Sequence, residues 1–162
     1  MRPEPDLRSF LERLSVETPA SVFAVADEVP LDYTSTALTV ALDRQGRAPV
    51  VLLSRLAGRE GRLAADRLVA NLFGSRELMA RSIGATPETF LDVLGSALDN
   101  LLPAEVLPAG TAAPVHEVVW EGAEADLNRL PVPRHFEQDA GPYITAGMTA
   151  ARDPDTGVGN LA

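Results

Sequence analysis

A proline- and alanine-rich stretch, Leu102 to Pro114, does most to limit what this chain can fold into. Pro103, Pro108 and Pro114 each fix φ and remove a backbone donor, and Gly110 adds a further breaker. Neither a helix nor a paired strand can run through such a stretch. Before it, apolar residues recur at helical spacing or in short continuous runs; after it, they alternate. In a chain of 162 residues the stretch therefore reads as a linker, after which the pattern becomes β.

Within the first part, Asp6 can cap a helix whose apolar stripe is Leu7, Phe10, Leu11 and Leu14, ended by Thr18-Pro19. Ser21 to Val29 reads as a strand. Asp32 is expected to cap a short helix, roughly Tyr33 to Leu42, and Arg44 to Arg47 makes a turn. Pro49 to Leu53 is β-branched and continuously apolar, the pattern of a strand buried on both faces. Arg55 to Asp66 reads as a loop. Arg67 to Phe73 reads as a strand, with a helix over Leu63 to Leu72 as the alternative. Ser75 can cap a helix that runs to Ile83 and stops at Gly84. Thr86-Pro87-Glu88 is a helix start signal, with Pro at the first helical position. The stripe of Phe90, Leu91, Leu94, Ala97, Leu98 and Leu101 that follows is expected to pack on the sheet containing Pro49 to Leu53.

In the second part, Val115, Glu117 and Val119 alternate with His116, Val118 and Trp120 and read as a strand. Tyr143 to Ala151 reads as another. Arg152 to Gly157 is a turn, with Pro154 preset for its second position and Gly157 able to take positive φ. Val158 to Ala162 begins a returning strand. Because the chain stops inside that pattern, it is expected to be the N-terminal part of a longer protein.

Composition excludes several chemistries. There is no Cys, hence no disulfide, thiolate ligand or Cys nucleophile, and all 14 basic residues are Arg. Schiff-base chemistry and a P-loop lysine are therefore absent. Two histidines, His116 and His135, are too few for a three-histidine zinc site. A net charge of −9 disfavours nucleic acid and anionic membrane as partners. No apolar run reaches the length of a membrane span, and the N-terminus lacks a secretory segment; a cytoplasmic location is expected. Two motifs fail on inspection. Gly157-Val158-Gly159-Asn160-Leu161-Ala162 matches a dinucleotide fingerprint but follows a Pro-Asp turn rather than a strand. Asp153, Asp155 and Gly157 open like a calcium loop, yet Val158 stands where glycine is required. The polar loop Arg134-His135-Phe136-Glu137-Gln138-Asp139 is either solvated or lines a site.

The order of Leu130-Pro131-Val132-Pro133, a His-containing loop, Asp139-Ala140-Gly141-Pro142-Tyr143-Ile144-Thr145, and then Arg152 to Leu161 with Asn160 resembles the UbiD-type decarboxylase family. Upstream, Asp6 to Leu11 and Asn71-Leu72-Phe73-Gly74-Ser75-Arg76 resemble that family's opening helix and its "NLFGSRER" segment. The resemblance covers nearly the whole chain and is most specific in the block from Asp139 to Asn160. It implies an α/β (α+β) fold: an N-terminal α/β domain over 1–112, followed over 113–162 by the first strands of a split β-barrel of flavin-reductase type, here cut short.

It also implies a carboxy-lyase that reversibly decarboxylates aromatic or α,β-unsaturated acids. The cofactors would be prenylated FMN, supplied by a flavin prenyltransferase, a divalent metal, usually Mn2+, and K+. The full-length protein would be a homo-oligomer. By the resemblance, Asn160 would hold the metal that bridges to the cofactor phosphate, the Leu161 carbonyl would hold potassium, and Thr145 would face the cofactor. A hard cation takes oxygen donors, and an amide oxygen adds no charge beside a phosphate. No catalytic residue carries over, since the family's Arg and its acidic partners would lie beyond Ala162. Residues 1–162 alone are therefore expected to be inactive; turnover by them would send the search for catalytic groups to Arg134, His135, Glu137 and Asp139. The alternative is a non-catalytic interaction or assembly domain that retains the family fold.

Overall fold

Three strands and the helices around them account for almost all of the buried surface. The computed structural model describes residues 6–57, 67–103, 106–108 and 110–161. The central strand, β2 (Val50–Ala57), pairs in parallel with β1 (Val22–Pro30) and antiparallel with β3 (Leu68–Ala70). The expected run Pro49 to Leu53 is the start of β2, and Val50, Val51 and Leu53 have no exposed surface. A parallel pair needs a crossover, and α2 (Thr34–Asp43) supplies it between β1 and β2. This α/β arrangement is the one expected from the sequence.

The two faces of β2 hold two cores. On one, Leu31, Leu42, Val51, Leu53 and Leu56 cluster, with Phe23, Val25 and Leu38 packed against them. On the other, Val50 meets Phe10 and Leu14 of α1 (Leu7–Glu17) and Leu78 of α3 (Arg76–Ser82). Both helices start as expected. Asp6 accepts from the Arg8 and Ser9 N–H groups, and Ser75 accepts from the Leu78 N–H. Arg81 reaches Glu77 at 2.7 Å and Glu17 at 3.7 Å, tying α3 to α1 at the surface. The Asn71-Leu72-Phe73-Gly74 turn is shaped by Asn71. Its backbone has φ 57°, and its side chain donates to the Pro49 carbonyl at 2.9 Å. A Cβ on Gly74 would collide with that side chain, so glycine is the residue that lets Asn71 fold back.

Several expectations are corrected. Asp32 does not cap α2. The N-cap is Tyr33, in the left-handed region at φ 66° with no side-chain cap, because Asp32 is engaged elsewhere. β2 runs on to Ala57, past the expected start of the loop at Arg55; 58–66 lie outside the described residues. Leu68–Ala70 is a strand, which removes the helical alternative there. The helix α4 covers Phe90–Asp99, starting after Pro87 and ending before Leu101, and none of its residues is buried. Leu91, Leu94 and Leu98 are 74%, 40% and 64% exposed, so the stripe does not pack on β2. Amphipathic spacing identifies an apolar face but not what covers it.

Val115 to Trp120 is no strand either. A 3-10 turn occupies Pro114–His116, and Val118 and Val119 are exposed. An alternating pattern becomes a strand only when another backbone pairs with it. Of the expected strand Tyr143 to Ala151, only β4 (Ala150–Arg152) forms, antiparallel to β5 (Gly159–Leu161). The turn between them is as expected, with Gly157 at φ 71°.

These contacts predict opposite outcomes for two leucines. Leu14→Ala, at a site 2% exposed, should cost about 2–5 kcal/mol. Leu98→Ala, on α4, should stay within about 0.5 kcal/mol. Chemical denaturation followed by circular dichroism measures both; equal losses would mean that α4 is packed.

Candidate functional site

The segment from Pro131 to Ala146 lies across α2 and β3. Two backbone-directed bonds fix the junction. Asp32 Oδ1 accepts from the Arg134 N–H at 2.9 Å, and the Tyr33 N–H donates to the Arg134 carbonyl at 2.8 Å. The left-handed Tyr33 backbone costs about 1–2 kcal/mol; the conformation turns its N–H toward Arg134. The side chain of Asp32, read from sequence as a helix cap, is thus the anchor of a loop 102 residues away.

The polar loop closes on itself. Asp139 Oδ2 accepts from the His135 and Phe136 N–H groups at 3.2 and 2.7 Å. The Arg134 guanidinium donates through Nη2 to the Glu137 carbonyl at 2.9 Å and to the Asp139 carbonyl. Its Nε is buried without a hydrogen-bond partner. Arg134 and Asp139 are therefore structural groups of this loop.

His135 joins three parts. Its Nε2 lies 3.3 Å from the Tyr143 carbonyl, and its Nδ1 lies 3.2 Å from Thr36 Oγ1 on α2. A carbonyl only accepts, so Nε2 carries a proton; in the neutral ring Nδ1 accepts from the Thr36 hydroxyl. The ring also lies against that of Tyr143, centroids 4.8 Å apart and planes tilted by 56°.

Between α2, β3 and this segment lies a cavity of about 620 Å³. Its polar groups include Thr36, Thr39, Asn71, His135 and Thr145, and among the described residues that line it there is no Asp, Glu or Arg. The described non-glycine residues with positive φ, Tyr33 and Asn71, lie beside its wall and in it. Strained backbone of this kind clusters at functional sites. Sequence reading missed the α2 contribution. The signal was present as hydroxyls at Ser35, Thr36 and Thr39, which helical spacing gathers on one side of an otherwise apolar helix.

The expected site residues are split between two places. Thr145 lines the cavity beside α2 and β3. Asn160 and Leu161 stand on the exposed β4–β5 hairpin, where Asn160 pairs with Ala151 and Leu161 with Ala150, and line a separate hollow with Arg152. Glu137 and His116 are exposed. Among the described residues, no group of three or more His, Asp or Glu stands close enough to hold a metal ion, and no helix is long and apolar enough to cross a membrane.

The hairpin turn holds a carboxylate whose ionisation matters. Asp153 Oδ1 accepts from the Thr156 N–H at 2.6 Å, the Thr156 hydroxyl at 2.9 Å and the Asp155 N–H at 2.9 Å. These bonds, led by that from the Thr156 backbone, hold its carboxyl below the ordinary 3.8.

Comparison with known proteins gives a consistent result. The family model described as the 3-octaprenyl-4-hydroxybenzoate carboxy-lyase N-terminal domain matches residues 17–98. The Rift-related domain of the same carboxy-lyase matches residues 108–162. The UbiD-class enzyme HmfF from Pelotomaculum thermopropionicum, solved in complex with FMN, is 34% identical with a TM-score of 0.73 over 96% of this chain and 33% of its own. An evolved dimeric form of it, in complex with prFMN, aligns over 98% of this chain and 35% of its own with a TM-score of 0.75. The anhydromevalonate phosphate decarboxylase of Methanothermobacter thermautotrophicus is 30% identical over 96% of the chain and 32% of its own length. This chain spans about a third of the relatives that it matches.

Two predictions follow from this geometry. Asp32→Ala removes the acceptor of the Arg134 N–H and should cost about 1–3 kcal/mol, with amide shifts concentrated in 131–146. Asp32→Asn, which keeps an oxygen, should lose less. Shifts confined to α2 would refute the junction. For Asp153, a carboxyl depressed in the folded state stabilises above its unfolded value, and that contribution is lost as pH falls through the folded one. The hairpin turn should therefore persist through pH 3.8 and loosen at lower pH, read from the Thr156 amide resonance. Asp153→Asn should flatten that dependence.

Proposed function

The chain belongs to the UbiD carboxy-lyase family, and from that premise we propose that it is the N-terminal portion of a decarboxylase for aromatic or α,β-unsaturated carboxylic acids. The proposed cofactors are prenylated FMN, Mn2+ and K+, with a flavin prenyltransferase as supplier and a cytoplasmic, homo-oligomeric setting. The observation that carries the reading is the 34% identity, over 98% of the chain, to a UbiD-class enzyme in complex with prFMN.

The residues present fit one corner of such a site. Asn160 and the Leu161 carbonyl offer neutral oxygen donors on an exposed strand, the kind hard cations take. A divalent ion needs several oxygens, and the described residues offer no carboxylate or histidine cluster to add to these. In this proposal Asn160 supplies one metal bond and the Leu161 carbonyl one potassium bond. Thr145 offers a hydroxyl to the cofactor. When bound, the prenylated flavin supplies the electron sink for loss of CO2. Arg134 and Asp139 are committed to the loop they hold together, which leaves His135 and Glu137 as the remaining titratable groups of that loop. His135 is held by Thr36 and Tyr143.

Residues 1–162 alone should therefore release no CO2. The measurement is a parallel screen of this chain and HmfF, both given prenylated FMN and Mn2+, against unsaturated and aromatic acids. Turnover in HmfF only is expected. Turnover by 1–162 would place catalysis at His135 and Glu137 instead. In a protein of the relatives' full length, Asn160→Ala should lose manganese, by elemental analysis, and flavin absorbance together, with the circular dichroism unchanged.

A further inference from the structure

Between Tyr143 and β4 the chain has little to hold it. Thr145 and Ala146 form a turn, and Ile144 is 63% exposed. Among the described residues, no hydrogen bond ties 144–148 to another segment. Tyr143 is therefore the last anchored residue before Thr145. Its N–H donates to the Pro133 carbonyl at 3.3 Å, and its carbonyl accepts from His135 Nε2 at 3.3 Å. Only the second of these bonds comes from a side chain.

The imidazole is itself held. Thr36 Oγ1 on α2 stands 3.2 Å from Nδ1, Asp139 Oδ2 accepts from the His135 N–H at 3.2 Å, and the ring lies against that of Tyr143. A donor already fixed on its own side loses little further freedom on bonding. The bond from Nε2 therefore restrains the looser party, the segment that leads into the turn.

We propose that His135 is a positioning residue for the cofactor: through the Tyr143 carbonyl it sets where the turn presents the Thr145 hydroxyl, and Thr36 fixes the ring's tautomer. The inference rests on the reading of Thr145 as a cofactor contact. In this role His135 transfers no proton and acts only through the backbone ahead of Thr145.

The test uses a protein of the relatives' full length carrying this sequence at 1–162, with FMN as the probe. Neither readout depends on turnover: one is the FMN dissociation constant from flavin fluorescence, the other hydrogen–deuterium exchange of the peptide over 143–149. His135→Phe keeps a ring against Tyr143 and removes both nitrogens. It should speed exchange in 143–149 and weaken FMN about three- to tenfold, as for the loss of one hydrogen bond of ordinary net strength. Exchange in β2 should not change. His135→Gln, whose amide N–H can stand in for Nε2–H, should bring both readouts back toward the parent. Thr36→Val removes only the hydroxyl; it should move both in the same direction by a smaller factor, and it carries the test if His135→Phe does not fold. Thr145→Val should weaken FMN with exchange unchanged, and combined with His135→Phe it should cost little more than the larger single loss. Unchanged FMN affinity in Thr145→Val would overturn the cofactor reading of Thr145 and the proposal with it. Weaker FMN in Thr145→Val, with no change in His135→Phe or Thr36→Val, would overturn the positioning role alone. Equal losses in His135→Phe and His135→Gln would also overturn it, since the ring would then act by packing.

Discussion

The α/β part of the chain leans on the desolvation of the apolar side chains of one strand. β2 loses all exposure at Val50, Val51 and Leu53, and its two faces give two separate cores. Burial at this scale is worth about 1.5–3 kcal/mol per large apolar side chain. α1 and α3 exist as packed helices because Val50 is there to cover, and α2 because Val51 and Leu53 are. The strand pairing is then fixed by the same burial: a one-residue slip would exchange the two faces.

The second dependence is polar. Asp32 and Tyr33 hold Arg134 from both sides of its peptide unit, and His135 adds Thr36. These contacts bridge about a hundred residues of sequence and bring the Pro131–Ala146 segment over the cavity. They come with strain, in the left-handed Tyr33 backbone and in the buried Arg134 Nε. An unmade buried hydrogen bond costs about 1–3 kcal/mol, so the junction holds only because several contacts form together. Thr145 lines this cavity, while Asn160 lines the hollow at the β4–β5 hairpin.

Legibility from sequence followed the range of the physics. The Asp6 and Ser75 caps and the Asp153 turn rest on bonds within about three residues, and each was readable. The buried strand was readable because continuous β-branched apolar residues leave few alternatives. α4 was placed within a few residues, but its partner was not, because periodicity does not encode what lies opposite. Val115 to Trp120 kept its alternation and still made no strand, since pairing requires a second backbone. The cavity was half visible: His135 stood out in its polar loop, while Thr36 and Asp32 looked like ordinary helix residues.

The sequence by itself determined the family, the α/β class, the Asp6 and Ser75 caps, the Arg152 to Gly157 turn, and which strand is buried, because each depends on residue identity over a short window. Only the tertiary structure decided where Asp32 spends its carboxylate, which residues surround the cavity, that Thr145 and Asn160 line different hollows, and that the α4 stripe stays open. Those outcomes are set by contacts between segments far apart in the chain. Each such contact forms only if the entropy of closing its loop is offset by burial and bonding elsewhere, a balance that no single stretch of residues carries.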